Sequence, residues 1–460
     1  MRRVAITGMG VVAGTGSGLL PFWEAVREGR PAFSALQGLE DAPLSIRSGA
    51  VVPDFRPDLI LNRRQLGYLD RFAQLALVAA KQAVQDAAVE WTDALRQSAG
   101  VITGSAIGGQ STQDDAFLKL YGKAARSVNP ITIPKVMPCA GAGAISMDLG
   151  LVGPSFTVST ACASSTHAIG QAFWLVRQGA LDLAVAGGSE APFSFGYLKA
   201  WEALQVVDPN PCRPFSRDRK GLNLGEAGAM VVLEPLEMAQ ARGARIYAEV
   251  VGFGMSADAY HVTQPSLEGP IKAMASALSD AGLEPSSVDY VNAHGTGTPI
   301  NDALECRAIR NLFGAHAERL AISSTKSVHG HALGAAGALE AVATVLAAWH
   351  GVAPPTANFT QPDPDCDLDV VPNRPRPLGI RVALTNSFAF GGLNAVLALA
   401  CHNGSLHGST SRRVRGEAES LVLQAPSQGG TLPDAAGTRV APAKNGEPED
   451  TRERLSQGGG

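Results

Sequence analysis

Hydrophobic positions in this chain gather in short β-branched runs that end on glycine, serine or threonine. Residues 4–12, 100–104, 181–188, 229–233, 246–253, 288–293, 320–324 and 382–386 all have this form. Short apolar runs without a polar face predict strands covered on both sides. Between several of them apolar residues recur at about 3.6-residue spacing. That spacing predicts helices over residues 66–88, around Ile169, Ala172, Phe173 and Val176, and over residues 271–281 and 333–349. Strands alternating with helices predict an α/β fold with mainly buried sheets. The order of parts suggests a duplication, because each half has glycine-rich strands, one long apolar helix and a reactive loop after a strand. No clear repeat is visible residue by residue. Residues 403–460 are rich in Gly, Ser, Pro and Ala, with Leu421-Val422-Leu423 as their one apolar cluster, and are expected to form a disordered tail.

Composition narrows the class. At 460 residues, 45% hydrophobic and 17% charged, the chain can bury a sizeable core. A net charge of −4 gives no global attraction to nucleic acid or anionic membrane. Six scattered cysteines, with no C-x-x-C pair, suit a reducing cytosol, so a cytoplasmic protein is expected. The opening apolar run breaks at Gly8 and Gly10, too early for a signal-peptide core, and reads as a buried strand. No window approaches the ~18 uninterrupted apolar residues that an integral membrane segment requires. Neither a P-loop pattern nor a complete G-x-G-x-x-G is present.

Against this background one cysteine stands apart. Phe156-Thr157-Val158-Ser159-Thr160 reads as a strand and residues 163–178 as a helix, which places Cys162 at a strand-to-helix turn near a helix N-terminus. The partial positive charge there predicts a lowered thiol pKa. Ala161, Ala163, Ser164 and Ser165 are small enough for an acyl thioester to approach. Cys139, Cys212, Cys306, Cys366 and Cys401 are read as small buried hydrophobes.

Downstream, a strand over residues 288–292 runs into His294-Gly295-Thr296-Gly297-Thr298. Thr296 and Thr298 alternate, so both hydroxyls are candidates to face one channel and hold the amides of a pantetheine arm. Their other candidate role is to cap a helix starting near Asp302. After the strand at residues 320–324 come Lys326, His329 and His331, the last opening a long apolar helix. The positive helix end favours a neutral His331, and a neutral imidazole can donate one N–H to a carbonyl oxygen. Decarboxylation of a malonyl thioester needs such donors. His329 is ranked below His331, and the remaining histidines are read as structural. Lys326 is placed to bring positive charge beside the thiol and the imidazoles, with Glu340 as its partner. In Asn386-Ser387-Phe388-Ala389-Phe390-Gly391-Gly392, the N–H of Phe390 is a candidate to join that of Cys162 as an oxyanion hole. Phe388 and Phe390 are candidate gates of an acyl tunnel, or else plain aromatic core.

Together Ser159-Thr160-Ala161-Cys162, Asn292-Ala293-His294-Gly295-Thr296, Ser324-Thr325-Lys326-Ser327, Gly330-His331 and Asn386-Ser387-Phe388 resemble the β-ketoacyl-[acyl-carrier-protein] synthases. These are condensing enzymes of the thiolase superfamily, here of the KAS II-like type. The likeness covers about residues 1–401. Residues 191–196, 199–203, 212–216 and 391–395 look like the nodulation protein E branch, which makes unusual acyl chains for lipo-oligosaccharide signals.

The resemblance implies a thiolase-like five-layered αβαβα fold from two duplicated halves, residues 1–250 with the nucleophilic cysteine and residues 251–402 with the histidines and lysine. It implies a homodimer. The catalytic set it implies is Cys162, His294, His331 and Lys326, supported by Glu340 and Asp302, with Ile107 lining the acyl pocket. No metal or cofactor is implied, because the phosphopantetheine arrives on the acyl carrier protein with the malonyl and acyl thioesters. Departures from the family pattern are Ala389 for glycine, Leu393 for threonine and His329 for threonine, which bear on chain length and gate motion. Glu202 falls where relatives often carry a basic residue for the carrier protein. Lys199, Arg63, Arg64 and Arg71 are the candidate replacements.

The expected reaction is a ping-pong decarboxylative Claisen condensation. The rivals are a thiolase, whose second cysteine context is missing around Cys401, and a catalytically silent or scaffold subunit of a ketosynthase heterodimer. The presence of Cys162 argues against the latter.

Overall fold

The computed structural model describes residues 1–401, and the expected tail at 403–460 lies outside them. The strands that carry the fold are β1 (Val4–Ala13), β2 (Ala99–Gly104), β3 (Ser155–Val158), β4 (Leu183–Glu190), β5 (Ala227–Pro235), β6 (Ala248–Ala257), β7 (Tyr290–Asn292), β8 (Ala321–Ser323), β9 (Val382–Ala389) and β10 (Leu393–Ala400). The helices that position the site are α1 (Arg63–Tyr68), α2 (Arg71–Asp86), α3 (Ala140–Leu149), α4 (Ser164–Arg177), α5 (Phe195–Leu204), α6 (Glu268–Ala281), α7 (Pro299–Phe313), α8 (Lys326–His329) and α9 (Ala336–His350).

Strand pairing follows the order β8-β7-β9-β10-β6-β1-β5-β4-β2-β3. Read outward from its centre, this is one pattern used twice. In the first half β3, β2 and β4 pair in parallel, and β4, β5 and β1 antiparallel. In the second half β8, β7 and β9 pair in parallel, and β9, β10 and β6 antiparallel. The halves meet where β1 pairs antiparallel with β6, Val4 opposite Val250 and Ile6 opposite Ala248.

Helices α2 and α3 cover one outer face, and α6 with α7 packed beside it covers the other. Between the sheets lie α4 and α9, each touching strands of both halves and each other. This is the αβαβα arrangement. The central apolar cluster joins Ile169, Phe173 and Val176 of α4 to Leu339, Val342 and Val345 of α9. Burial on every side explains why α9 reads as apolar all round. The segment Leu333–His350 is long and apolar enough to cross a membrane, yet 89% of it is buried inside the protein, as a core helix would be.

Most expected elements are present with shifted ends. The helix expected over residues 66–88 is two helices. The side chain of Asp70 accepts the N–H of Phe72 and starts α2 afresh, after α1 begins at an Asn62–Gln65 capping box. Apolar periodicity runs across this break because α1 and α2 lean on the same outer core. The helix expected from residue 333 opens with a single 3-10 turn, Leu333–Ala335, before α9 begins. Strand β10 was absent from the expected runs, since alanines and Asn394 give it weak strand character. Strand β3 is an edge strand with Ser155 and Phe156 exposed.

Candidate active site

Cys162 sits in the 3-10 turn Ala161–Ala163, directly before α4. Ala161 has φ +48°, a left-handed conformation that costs energy for a residue with a Cβ. Two hydrogen bonds hold it there. The Ser164 hydroxyl donates to the carbonyl of Ala161 at 2.6 Å and accepts the N–H of Thr160 at 2.9 Å. Close packing requires glycine behind the turn, because a Cβ on Gly104 would lie 2.4 Å from the Ser164 backbone. Cys162 is 8% exposed. The lowered thiol expected from the helix end is not what burial produces. Desolvation pushes the Cys162 thiol up to about 12, with Lys326 pulling it back only in part. The resting nucleophile is therefore a neutral thiol.

His294 follows β7 in a loop that two carboxylates on α7 hold from behind. Glu305 accepts the N–H groups of His294 and Gly295, each at 2.8 Å, and the side-chain amide of Asn386 at 3.1 Å. Asp302 accepts the N–H of Gly297 at 3.1 Å and that of Phe215 at 2.9 Å. Residues 302 and 305 share a helix face, so one helix grips both ends of the loop. Gly297, at φ +80°, makes the turn possible.

The protonation pattern follows from the partners. Lys326 Nζ lies 3.2 Å from His294 Nδ1, donates to the His294 carbonyl at 2.6 Å, and forms a buried ion pair with Glu340. An ammonium has only donors, so Nδ1 of His294 accepts and its proton sits on Nε2. His331 Nδ1 accepts the N–H of Leu333 at 3.2 Å, which places its proton on Nε2 too. Burial first and then Lys326 hold both imidazoles well below the usual histidine range, so both are neutral. Their ring centroids are 5.5 Å apart with planes at 85°. Burial pushes the Glu340 carboxyl up and Lys326 draws it down.

Cys162, His294 and His331 line one cavity of about 310 Å³, together with Thr296, Thr298, Phe388 and Phe390. The exposed residues His261, Thr263, Ile300 and Lys220 also line it. The hydroxyls of Thr296 and Thr298 are 2.9 Å apart. Thr298 holds the N-cap position of α7, which begins at Pro299 rather than near Asp302, but its side chain makes no capping bond. Phe388 approaches the His294 ring at 6.1 Å, and Phe390 stacks on Trp201 at 6.4 Å.

Two candidates fall elsewhere. His329 is buried with Nδ1 bonded to the Gly330 carbonyl (2.8 Å) and Nε2 to the Thr325 hydroxyl (3.0 Å), so neither nitrogen is free. Ile107 is half-buried with its N–H 3.4 Å from Glu190, and it is not among the residues lining the cavity.

Sequence reasoning missed Glu305 and Glu190. Glu190, at the end of β4, accepts the N–H of Ala106 (2.6 Å), the N–H of Gly334 (3.0 Å) and the Ser105 hydroxyl (2.9 Å). Burial nevertheless pushes its carboxyl up to about 7. One available signal was a glutamate closing an otherwise apolar buried strand. For Glu305 it was the i,i+3 spacing to Asp302.

The family model described as beta-ketoacyl synthase, N-terminal domain, matches residues 1–239, and the corresponding C-terminal domain matches residues 247–360. Nodulation protein E of Rhizobium sp. (strain N33) is 48% identical over 397 residues, covering 86% of this chain and 98% of that protein. The 3-oxoacyl-[acyl-carrier-protein] synthase 2 of Staphylococcus aureus (strain N315) is 41% identical over 403 residues, covering 86% and 97%. Among solved structures, the ishigamide ketosynthase/chain length factor superposes with a TM-score of 0.84 at 36% identity, covering 87% of this chain and 100% of that one.

Proposed function

The chain belongs to the β-ketoacyl synthase family, and from that membership we propose how its own residues carry out the decarboxylative Claisen condensation of the family. Cys162 carries the acyl chain, His294 and His331 hold the developing enolate, and Lys326 fixes the tautomer of His294. The observation that carries this reading is the single cavity in which a thiol meets two neutral imidazoles whose Nδ1 atoms are both occupied by donors.

In the first half-reaction Cys162 Sγ attacks the thioester carbonyl of an acyl carrier protein. The new C–S bond replaces the bond to pantetheine, and the cysteine proton leaves with the pantetheine thiol. The thiolate is the attacking species, and with the thiol pushed up to about 12 only a small fraction of Cys162 is ionised at any moment in the neutral range. In the second, the malonyl thioester binds with its carbonyl oxygen toward Nε2–H of His294 and His331. The bond to the carboxylate breaks, carbon dioxide leaves, and its electron pair forms an enolate whose oxygen both N–H groups stabilise. The enolate carbon attacks the acyl-Cys162 carbonyl. The C–C bond forms, the C–S bond breaks, and Sγ takes a proton from solvent. The N–H groups of Cys162 and Phe390 receive the oxyanion. Thr296 and Thr298 line the pantetheine path.

The chemistry asks for no resident cofactor, since decarboxylation itself supplies the carbanion. The partner is an acyl carrier protein, in keeping with the synthase 2 relative. A homodimer is the assembly that edge strand β3 favours. Phe156, Val152 and Met147 are exposed on or near it, and an unpaired apolar edge is what a second copy would cover. Pairing with a related subunit is the second reading, suggested by the ketosynthase/chain length factor neighbour. Specialised acyl chains of the nodulation type fit the Rhizobium relative, and cytoplasmic residence fits the six unpaired thiols.

Product profiling with purified carrier protein, malonyl-carrier and primers of graded length tests the proposal. Chains extended by two carbons, with a transient acyl mass on Cys162, are expected. Extension without any acyl mass on that residue overturns it.

A further inference from the structure

The two imidazoles are held in different ways. Glu305 grips the loop of His294 directly, whereas His331 depends on the turn that follows it. The backbone of His331 is fixed on one side, where its N–H donates to the Asn223 carbonyl at 2.7 Å and its carbonyl accepts the N–H of Gly225 at 3.0 Å. Its ring accepts the N–H of Leu333 at Nδ1, 3.2 Å away. Leu333 donates from a left-handed conformation, φ +46°, which is costly for a residue with a Cβ. A neighbour has to hold the turn in that shape.

The next N–H along, that of Gly334, is bound by Glu190, which is fully buried at the end of β4. Oε2 of Glu190 accepts the N–H of Gly334 at 3.0 Å and that of Ala106 at 2.6 Å. Oε1 accepts the Ser105 hydroxyl at 2.9 Å, with the N–H of Ile107 more distant at 3.4 Å. The loop after β2 therefore fixes the carboxylate, and the carboxylate fixes the turn after His331. The oxygen reaches the turn because residue 334 is glycine. A Cβ on Gly334 would lie 2.6 Å from Glu190 Oε2 and 2.5 Å from the Ala106 nitrogen.

We propose that Glu190 is the positioning residue of His331. By accepting the N–H of Gly334 it holds Leu333 left-handed, which keeps the Leu333 N–H on Nδ1 and the Nε2–H of His331 aimed into the cavity. The inference rests on the assignment of His331 to decarboxylation. What it requires of Glu190 is an acceptor at Oε2, not a charge. When Oε1 carries a proton, the Ser105 hydroxyl turns from donor to acceptor and both backbone bonds to Oε2 remain. A side-chain amide can do the same, with its oxygen at the place of Oε2 and its NH₂ group toward Ser105 Oγ. Glu305 differs, because both of its oxygens face backbone N–H groups.

Decarboxylation of malonyl-carrier, acylation of Cys162 and Tm are measured in the full chain carrying Glu190→Leu, Glu190→Gln or His331→Ala. Glu190→Leu strands the N–H groups of Ala106 and Gly334. It should lower kcat for decarboxylation on the order of 10-fold or more at unchanged KM, because a small misplacement of a reacting group is costly in rate. Acylation should stay within a few-fold, since Ser164 and not Glu190 closes the Cys162 turn. Glu190→Gln should recover most of the lost kcat. Where Glu190→Leu does not fold, Glu190→Asp takes its place with the same expectation, because it draws the carboxylate back from Gly334 by one methylene. The proposal is overturned if Glu190→Gln is as impaired as Glu190→Leu, which would make the charge decisive. It is equally overturned if both half-reactions fall together with Tm, which would make Glu190 a residue of stability. His331→Ala separates this inference from the reading beneath it. Parental decarboxylation in His331→Ala would remove the role given to His331, whereas an inactive His331→Ala beside an active, folded Glu190→Leu would remove the role of Glu190 alone.

Discussion

Lys326 Nζ lies 3.2 Å from Nδ1 of His294 and is itself paired with Glu340 in a fully buried setting. The lysine therefore sets which nitrogen of the imidazole carries the proton, and the glutamate makes a buried ammonium tolerable. Lys326→Met should lower malonyl decarboxylation about 10²-fold, the usual cost of losing one organised donor. It should also destabilise the protein by roughly 3–5 kcal/mol, because the buried Glu340 carboxyl loses its ion-pair partner. The double variant Lys326→Met with Glu340→Gln removes the orphaned carboxyl. It should recover most of the lost Tm without recovering carbon dioxide release, and near-normal release from a well-folded double variant would end this assignment.

Cys162 and the two imidazoles divide the labour, so the half-reactions should come apart. Cys162→Ala is expected to gain no acyl mass from acyl carrier protein and to make no condensation product. It should still release carbon dioxide from malonyl-carrier, because Nε2–H of His294 and His331 remains in place. Loss of both activities in a folded variant would mean that the thiol takes part in decarboxylation.

The pH profiles should differ as well. With its thiol pushed up to about 12, Cys162 lies below its pKa throughout the neutral range. Its thiolate fraction, and with it the acylation rate, should climb roughly tenfold per pH unit from about pH 6 to 9. Decarboxylation should be flat over the same interval. His294 and His331 are shifted below the ordinary value of 6.5, so they gain protons and lose that activity only further into acid. Rapid-quench mass spectrometry for the first step and carbon dioxide release for the second measure the two separately. An acylation rate that levels off at or below pH 7 would show an activated thiolate instead.

How much of this was legible in the chain depends on how local each determinant is. Strand-to-loop punctuation brought out Cys162, His294 and His331 because each follows an apolar run and sits among small residues. The direction of the thiol shift was not legible, since it comes from long-range burial that outweighs the local helix end. Nor were the tautomers, which rest on Lys326 and Leu333 reaching back to the rings. The duplication shows the same limit. Ala161 at φ +48° and Leu333 at φ +46° each open a 3-10 turn that leads into a central helix. The backbone thus repeats where the side chains have diverged, with Cys162 in one turn and Gly334 at the matching place in the other. His329 could be set aside only once both its nitrogens were seen to be engaged, which a spacing of two residues from His331 does not reveal.

Glu305 gives the sharpest test of whether the His294 loop, rather than the imidazole alone, matters for rate. Its carboxylate accepts three N–H donors, from His294, Gly295 and Asn386. Burial raises its pKa while those donors oppose the rise. In Glu305→Gln one acceptor oxygen becomes an NH₂ group facing another N–H. Leaving a buried donor unsatisfied costs about 1–3 kcal/mol, so Tm should fall. The loop would then relax, and the Nε2–H of His294 would lose its fixed aim at the thioester oxygen. Decarboxylation by the variant should therefore drop more than its Tm at the assay temperature can explain, while acylation of Cys162, whose turn Glu305 does not touch, stays within a few-fold of the parent. Equal loss in both half-reactions would reduce Glu305 to a residue of stability alone. A selective loss makes it the positioning group that a search for reactive side chains passes over.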